Sequence, residues 1–153
     1  MYMRNTIKII GVCLLIFNGL VLRSQTQKEQ FIGTWDFDFN ASIANMEVKA
    51  KAILQKIPAV QGKLEKAYKN RQITFGIDGH YVLHLADGRK TNGTWTFDST
   101  ATRNNSITLI SSENQIQKMI VIFISIDKLI LKPQDDSSNG KPMFSQWYFT
   151  KKI

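Results

Sequence analysis

The sequence predicts a mainly β protein: an eight-stranded antiparallel up-and-down barrel with a two-helix insertion between strands 1 and 2. Three observations carry that expectation. From residue 72 onward, short segments alternate apolar and polar side chains, the period-two signature of half-buried strands. Asp-Gly pairs at 78–79 and 87–88 stand between such segments as hairpin turns. Between the first strand and the rest, apolar residues recur at spacings of three and four, as on one face of a helix. Eight strands joined by hairpins can close on themselves, which leaves no unpaired edge.

A chain of 153 residues suffices for one domain with a core of its own. Residues 1–24 read as a signal peptide outside that domain. Arg4 and Lys8 precede an apolar run from 9 to 22, broken only by Asn18 and Gly19, and Ser24 is a small residue at the cut. Such a run is short for a membrane span. Gln25 would begin the mature chain, 25–153, exported to the periplasm or secreted. Cys13, the only cysteine, lies within the run rather than at its end, which argues against lipid attachment. The mature domain would then hold no disulfide, thiolate metal site or thiol nucleophile.

The elements follow in order. Residues 33–39 alternate, with Trp35, Phe37 and Phe39 on one face and Thr34, Asp36 and Asp38 on the other. Asn40 reads as a helix N-cap. The stripe Ile43, Met46, Ala50, Ile53, Leu54 and Ile57 is interrupted by Pro58 and resumed by Val60, Leu64, Ala67 and Tyr68. Two helices within about 41–70 result. Strands are expected at 72–77, 80–85, 91–98, 106–111, 115–125, 128–132 and 143–151, with a polar loop over 99–105. The run MIVIFISI at 119–126 is apolar on both faces and its outer side needs a cover, for which the helix pair is the expected candidate, packed on the outer wall or across one barrel mouth. Gly-Thr-Trp occurs twice, at 33–35 and 93–95. Each copy is expected to open a strand, the glycine allowing close backbone approach and the tryptophan plugging one barrel end.

That first copy, within FIGTW at 31–35, resembles the Gly-x-Trp signature that opens the first strand of lipocalins. With NGTW at 92–95, the chain also resembles small secreted lipocalin-like domains of Bacteroidetes-type bacteria, some of which carry helices between the first two strands. The resemblance covers 29–153 and implies a small hydrophobic ligand held in the barrel. Three places depart from family patterns. In place of the Thr-Asp-Tyr motif the nearest stretch is Ser125-Ile126-Asp127-Lys128. The arginine that packs over the signature tryptophan could be replaced only by Lys151 or Lys152. Where intracellular fatty-acid-binding proteins carry an Arg-x-Tyr carboxylate clamp, this chain reads Gln146-Trp147-Tyr148.

Charge is uneven. Twenty Lys and Arg face 12 Asp and Glu, a formal +8. Without Arg4, Lys8 and Arg23 the balance is 17 against 12, or +5. Residues 41–71 alone hold Lys49, Lys51, Lys56, Lys63, Lys66, Lys69 and Arg71 against Glu47 and Glu65, also +5. An anionic surface is therefore an expected partner, met through Lys49, Lys56, Lys63 and Lys66. With no basic-aromatic strand motif, nucleic acid is not an expected one.

Other constellations carry little chemistry. His80 and His84 would share a strand face about 13 Å apart, too far to chelate one ion. Asp36 and Asp38 face away from the aromatic side and read as solubilising charges. The loop at 135–140 partly matches a calcium loop but has Gln146 where a bidentate Glu is needed. Catalytic residues, metals and cofactors are not expected. The aromatics remain: Trp35, Phe37, Phe75, Tyr81, Leu83, Trp95, Phe97 and Trp147 are the candidate ligand-binding residues on the inner face. The alternative is an envelope interaction module with a side-chain-filled barrel and a basic helical contact surface.

Overall fold

The computed structural model describes residues 27–99, 105–134 and 144–153. The expected signal segment and the 135–140 loop lie outside the described residues. Helical residues 27–31 (α1) belong to one unit, and Ile32–Ile153 to a second, which contains the barrel. Its strands are β1 (Gly33–Phe37), β2 (Gln72–Phe75), β3 (His80–His84), β4 (Lys90–Asp98), β5 (Ser106–Ser111), β6 (Ile116–Ile124), β7 (Lys128–Pro133) and β8 (Trp147–Lys151). Each pairs antiparallel with its neighbours in chain order, and β8 returns to β1, so the eight strands form a closed barrel.

Residues opposite one another across a ladder share a face. The register therefore threads one continuous inner surface. Phe75 lies beside Tyr81, Tyr81 beside Gly93, and Gly93 beside Ser111. Trp95 faces Leu109, while Phe97, Ile107 and Met119 form a row. Leu131 meets Trp147, and Phe149 stands between Leu129 and Phe37. Nearly all of these are buried, and they make up most of the barrel core. Trp35 and Trp95 are 0% and 2% exposed.

The first strand is two residues shorter than its alternation predicts. Asp38, not Asn40, is the N-cap of the first inserted helix, and its Oδ1 accepts from the Ala41 N–H at 2.8 Å. With the helix begun there, Phe39 leaves the strand face and becomes a buried helical residue. Asp38→Ala is expected to lower the unfolding free energy by about 1 kcal/mol, measured by denaturant titration, because an orphan helix N–H loses its partner.

Three helices, not two, separate β1 from β2: α2 (Phe39–Ala44), α3 (Val48–Lys56) and α4 (Pro58–Tyr68). Asn45 closes α2, its backbone N–H bonding back to Ala41 and Ile43 carbonyls. Pro58 sits at the start of α4, where its missing N–H costs nothing, and Ile57 before it lies outside the helical region (φ −130°, ψ 82°). The apolar stripe does not survive intact. Leu54 is the buried residue of α3 and Leu64 that of α4, whereas Ile53 and Ile57 are exposed.

Of the two positions expected for the helices, the outer side of β6 is not the one covered; Tyr68 at the end of α4 packs on Phe37 and Trp147 at one barrel end. The β6–β7 register shifts between Val121 and Phe123, a bulge that sends both Ile122 and Phe123 outward, 46% and 48% exposed. Elsewhere strand ends move by a residue or more. β2 stops at Phe75, with Ile77 in the exposed turn to β3, and the last strand starts at Trp147. Asp78 and Asp87 fix their turns by accepting from the His80 and Arg89 N–H groups at 3.1 Å.

The two Gly-Thr-Trp copies differ in kind. Gly33 does open β1, at φ 121°, a backbone region that L side chains rarely adopt. Gly93 lies inside β4 rather than at its start, because β4 begins at Lys90. A Cβ there would fall onto the Ile110 carbonyl oxygen of β5, so the ladder needs glycine at that crossing.

Candidate functional site

All eight residues expected to line the interior do lie on the inner face by register, but they divide into two groups. Toward one end, Trp95 packs on Phe75 with ring centroids 5.0 Å apart and its indole Nε1 donates to the Gly76 carbonyl at 3.1 Å. Tyr81, buried beside Phe75, has its phenol pKa raised by desolvation. Trp35 carries the Lys151 ammonium 5.0 Å over its ring.

Around the strand end where β1 stops and β8 starts, a second aromatic cluster forms. Phe37 meets Phe149, Phe144, Trp147 and Tyr68 at centroid separations of 5.5, 5.6, 5.9 and 5.9 Å. Tyr68 reaches this cluster from the end of α4, 5.0 Å from Phe144 and 6.3 Å from Trp147. Its own ring is capped by the Arg71 guanidinium at 4.0 Å, and Arg71 Nε donates to the Ala67 carbonyl at 2.7 Å. Desolvation lowers the Arg71 pKa from its ordinary value.

Tyr68, Phe144 and Phe149 thus belong to the interior beside the expected residues. Tyr68 was legible only as part of a helical stripe, which gives no hint that a helix end would close on strands. Phe149 was legible from its alternation with Trp147. Phe144 falls within the expected 143–151 strand but precedes β8 and is out of phase with Trp147 and Phe149.

Exposure is uneven across the set. Trp35, Phe37, Phe75, Tyr81 and Trp95 are buried, whereas Leu83, Phe97 and Trp147 are half-buried. Leu83 and Trp147 stand at the barrel end where β3 leaves and β8 enters. Trp147 Nε1 is buried with no hydrogen-bond partner among the described residues. A buried donor left unpaired costs about 1–3 kcal/mol, and indole can only donate.

On the outer face the predicted polar residues separate. Asp38 is committed to its cap, while Asp36 is half-buried and its Oδ1 has no partner among the described residues. Both line a cleft of about 460 Å³ with Asn40, Lys69, Arg71 and Gln72. His80 and His84 pair with Thr94 and Lys90 on the face away from the core. Among the described residues, no three His, Cys, Asp or Glu side chains are grouped to hold a metal ion.

Fold and interior together define a class of protein: a small closed antiparallel β-barrel with an aromatic core and helices inserted after its first strand. Comparison with protein-family models, curated proteins and solved structures finds no match.

Proposed function

We propose that this chain is an exported lipocalin-like protein that binds one small hydrophobic molecule inside its barrel, without catalysis. The observation that carries this reading is the pair of half-buried inner residues at one barrel end, Leu83 and Trp147, leading onto a ladder-continuous aromatic surface. Apolar pockets with a few polar groups are the usual form of small-molecule sites. Here the polar groups would be the Trp147 N–H and the Tyr81 hydroxyl. The consecutive antiparallel pairing supports the up-and-down order of lipocalin-like barrels, and Lys151 over Trp35 supports the role that an arginine plays in them. Export rests on Arg4, Lys8 and the run at 9–22, and N-terminal sequencing of the host's own material should begin near Gln25.

The test is a titration with apolar fluorescent probes. Wild type is expected to bind saturably and to quench tryptophan emission. Leu83→Trp, which adds bulk on the inner face at that barrel end, is expected to weaken binding about tenfold or more with little change in thermal midpoint. If no probe binds saturably, the ligand reading fails. A second reading then applies, favoured by the near-complete burial of Trp35, Phe75 and Trp95: an envelope interaction module whose barrel is filled by side chains and whose surface makes the contacts.

A further inference from the structure

The solvent face of α3 and α4 combines two features that a merely soluble helix pair does not need. One is uncovered aliphatic surface. Val48 is 84% exposed, Ile53 53% and Ile57 47%. The other is cationic charge without local neutralisation. Lys49, Lys56, Lys63 and Lys66 are exposed, and among the described residues none has an ion-pair partner. Of the segment's two acids, Glu65 is already engaged by Lys69 at 2.7 Å, and Glu47 stands at the N-cap position of α3.

Within α3 the helical repeat places these groups together, and on α4 Lys63 and Lys66 likewise lie away from buried Leu64. At 100° per residue, Lys49 and Lys56 fall on one stripe of α3, with Val48 to one side and Ile53 to the other, opposite buried Leu54. The two lysines thus lie between aliphatic side chains on the exposed face, and Ile57 adds a further exposed aliphatic at the junction with α4.

We propose that this face docks on an anionic lipid surface. The lysines meet lipid phosphates, and Val48, Ile53 and Ile57 enter the boundary between headgroups and acyl chains. Helices of 9 and 11 residues are too short to cross a bilayer and lie along it. A second copy of the chain is the wrong occupant, because two like-charged faces repel. Protein interfaces are depleted in lysine and concentrate their apolar residues at a centre, which this interleaved face lacks. A bilayer has no fixed relief to match and rewards charge and scattered aliphatic groups alike. The inference is independent of whether the barrel holds a ligand.

The chain from Gln25 is the form to test, since every strand among the described residues lies within Gly33–Lys151 and the run at 9–22 would itself seek lipid. Sedimentation is measured with vesicles of phosphatidylcholine, with and without phosphatidylglycerol, at low and physiological salt. Binding is expected only with phosphatidylglycerol present and is expected to weaken as salt rises. Replacing Lys49, Lys56, Lys63 and Lys66 by Gln should lower the partition coefficient about 100-fold or more, and replacement by Arg should preserve it. Val48→Ser with Ile53→Ser, where the charges remain, should lower it about tenfold. Circular dichroism identifies the variants that keep the barrel, and the salt series and the Arg variant decide even if the Gln variant does not fold. Absence of binding to phosphatidylglycerol vesicles at low salt overturns the proposal. So does binding unchanged in the Gln or the Ser variant, or tighter binding to polyglutamate than to the vesicles, which would make the partner an acidic protein.

Discussion

Gly93→Ala is expected to cost about 3 kcal/mol or more of unfolding free energy, the largest effect of any Gly→Ala change in the described chain. A methyl group there meets backbone, not a side chain that can swing away: the Ile110 carbonyl oxygen, with the Ile110 carbonyl carbon and the Ser111 Cα at 2.8 Å. Relief requires β4 and β5 to separate, and that ladder runs from Gly93 to Asp98. Other glycines give internal controls. At Gly33 the nearest atom is Lys151 Cε at 3.0 Å, the flexible end of a side chain, so the penalty comes mainly from φ 121° and is about 1–3 kcal/mol. Gly62, inside α4 with nothing within 4 Å of an added Cβ, should reverse the sign, its alanine variant gaining about 0.5–1 kcal/mol. Urea titration of the three variants checks the order. An unchanged midpoint in Gly93→Ala would show that the two strands do not approach so closely.

Trp95→Ala should cost about 3–5 kcal/mol, by loss of a ring that is 2% exposed and packed 5.0 Å from Phe75. The indole also ties β4 to the β2–β3 turn through its bond to the Gly76 carbonyl at 3.1 Å. Trp95→Phe keeps most of the volume but leaves that carbonyl without this donor, so about 1–2 kcal/mol should be lost. A small loss in Trp95→Ala would mean that the interior is loosely filled at this end.

The strands were legible because alternation with period two follows directly from a pleated backbone with one face buried, as in Ile73/Phe75 or Ile107/Leu109. The limits of β1 were not. Asp38 and Asn40 are both good caps, and the choice between them lies in backbone geometry two residues apart. In α3, periodicity marked Ile53 and Leu54 as one stripe, yet only Leu54 is buried. A pattern names the faces a helix could bury, and tertiary packing decides whether one is covered. The two Gly-Thr-Trp copies look alike as letters, but one glycine answers to φ and the other to a neighbouring carbonyl. For the interior, the eight expected residues could be assigned a face from alternation alone. Tyr68 could not, since joining Phe144 and Trp147 required the path of a helix relative to strands far along the chain.

The seam between β1 and β8 sets the order of assembly. Trp35 pairs with Lys151 and Phe37 with Phe149, so the first strand waits for the last residues of the chain before its second edge is satisfied. Until β8 arrives, β1 and β7 both present unpaired N–H and C=O groups, each a template for another chain. Closing so long a loop is slow, because its entropy is lost before the contacts that reward it form. Hairpins such as β2–β3 and β3–β4, whose partners are local, can form early and persist without it. A chain cut short by even its final strand would therefore keep most of its local pairings yet remain an open sheet with two live edges. Its vulnerability to aggregation is thus concentrated in the interval before the carboxyl-terminal strand docks.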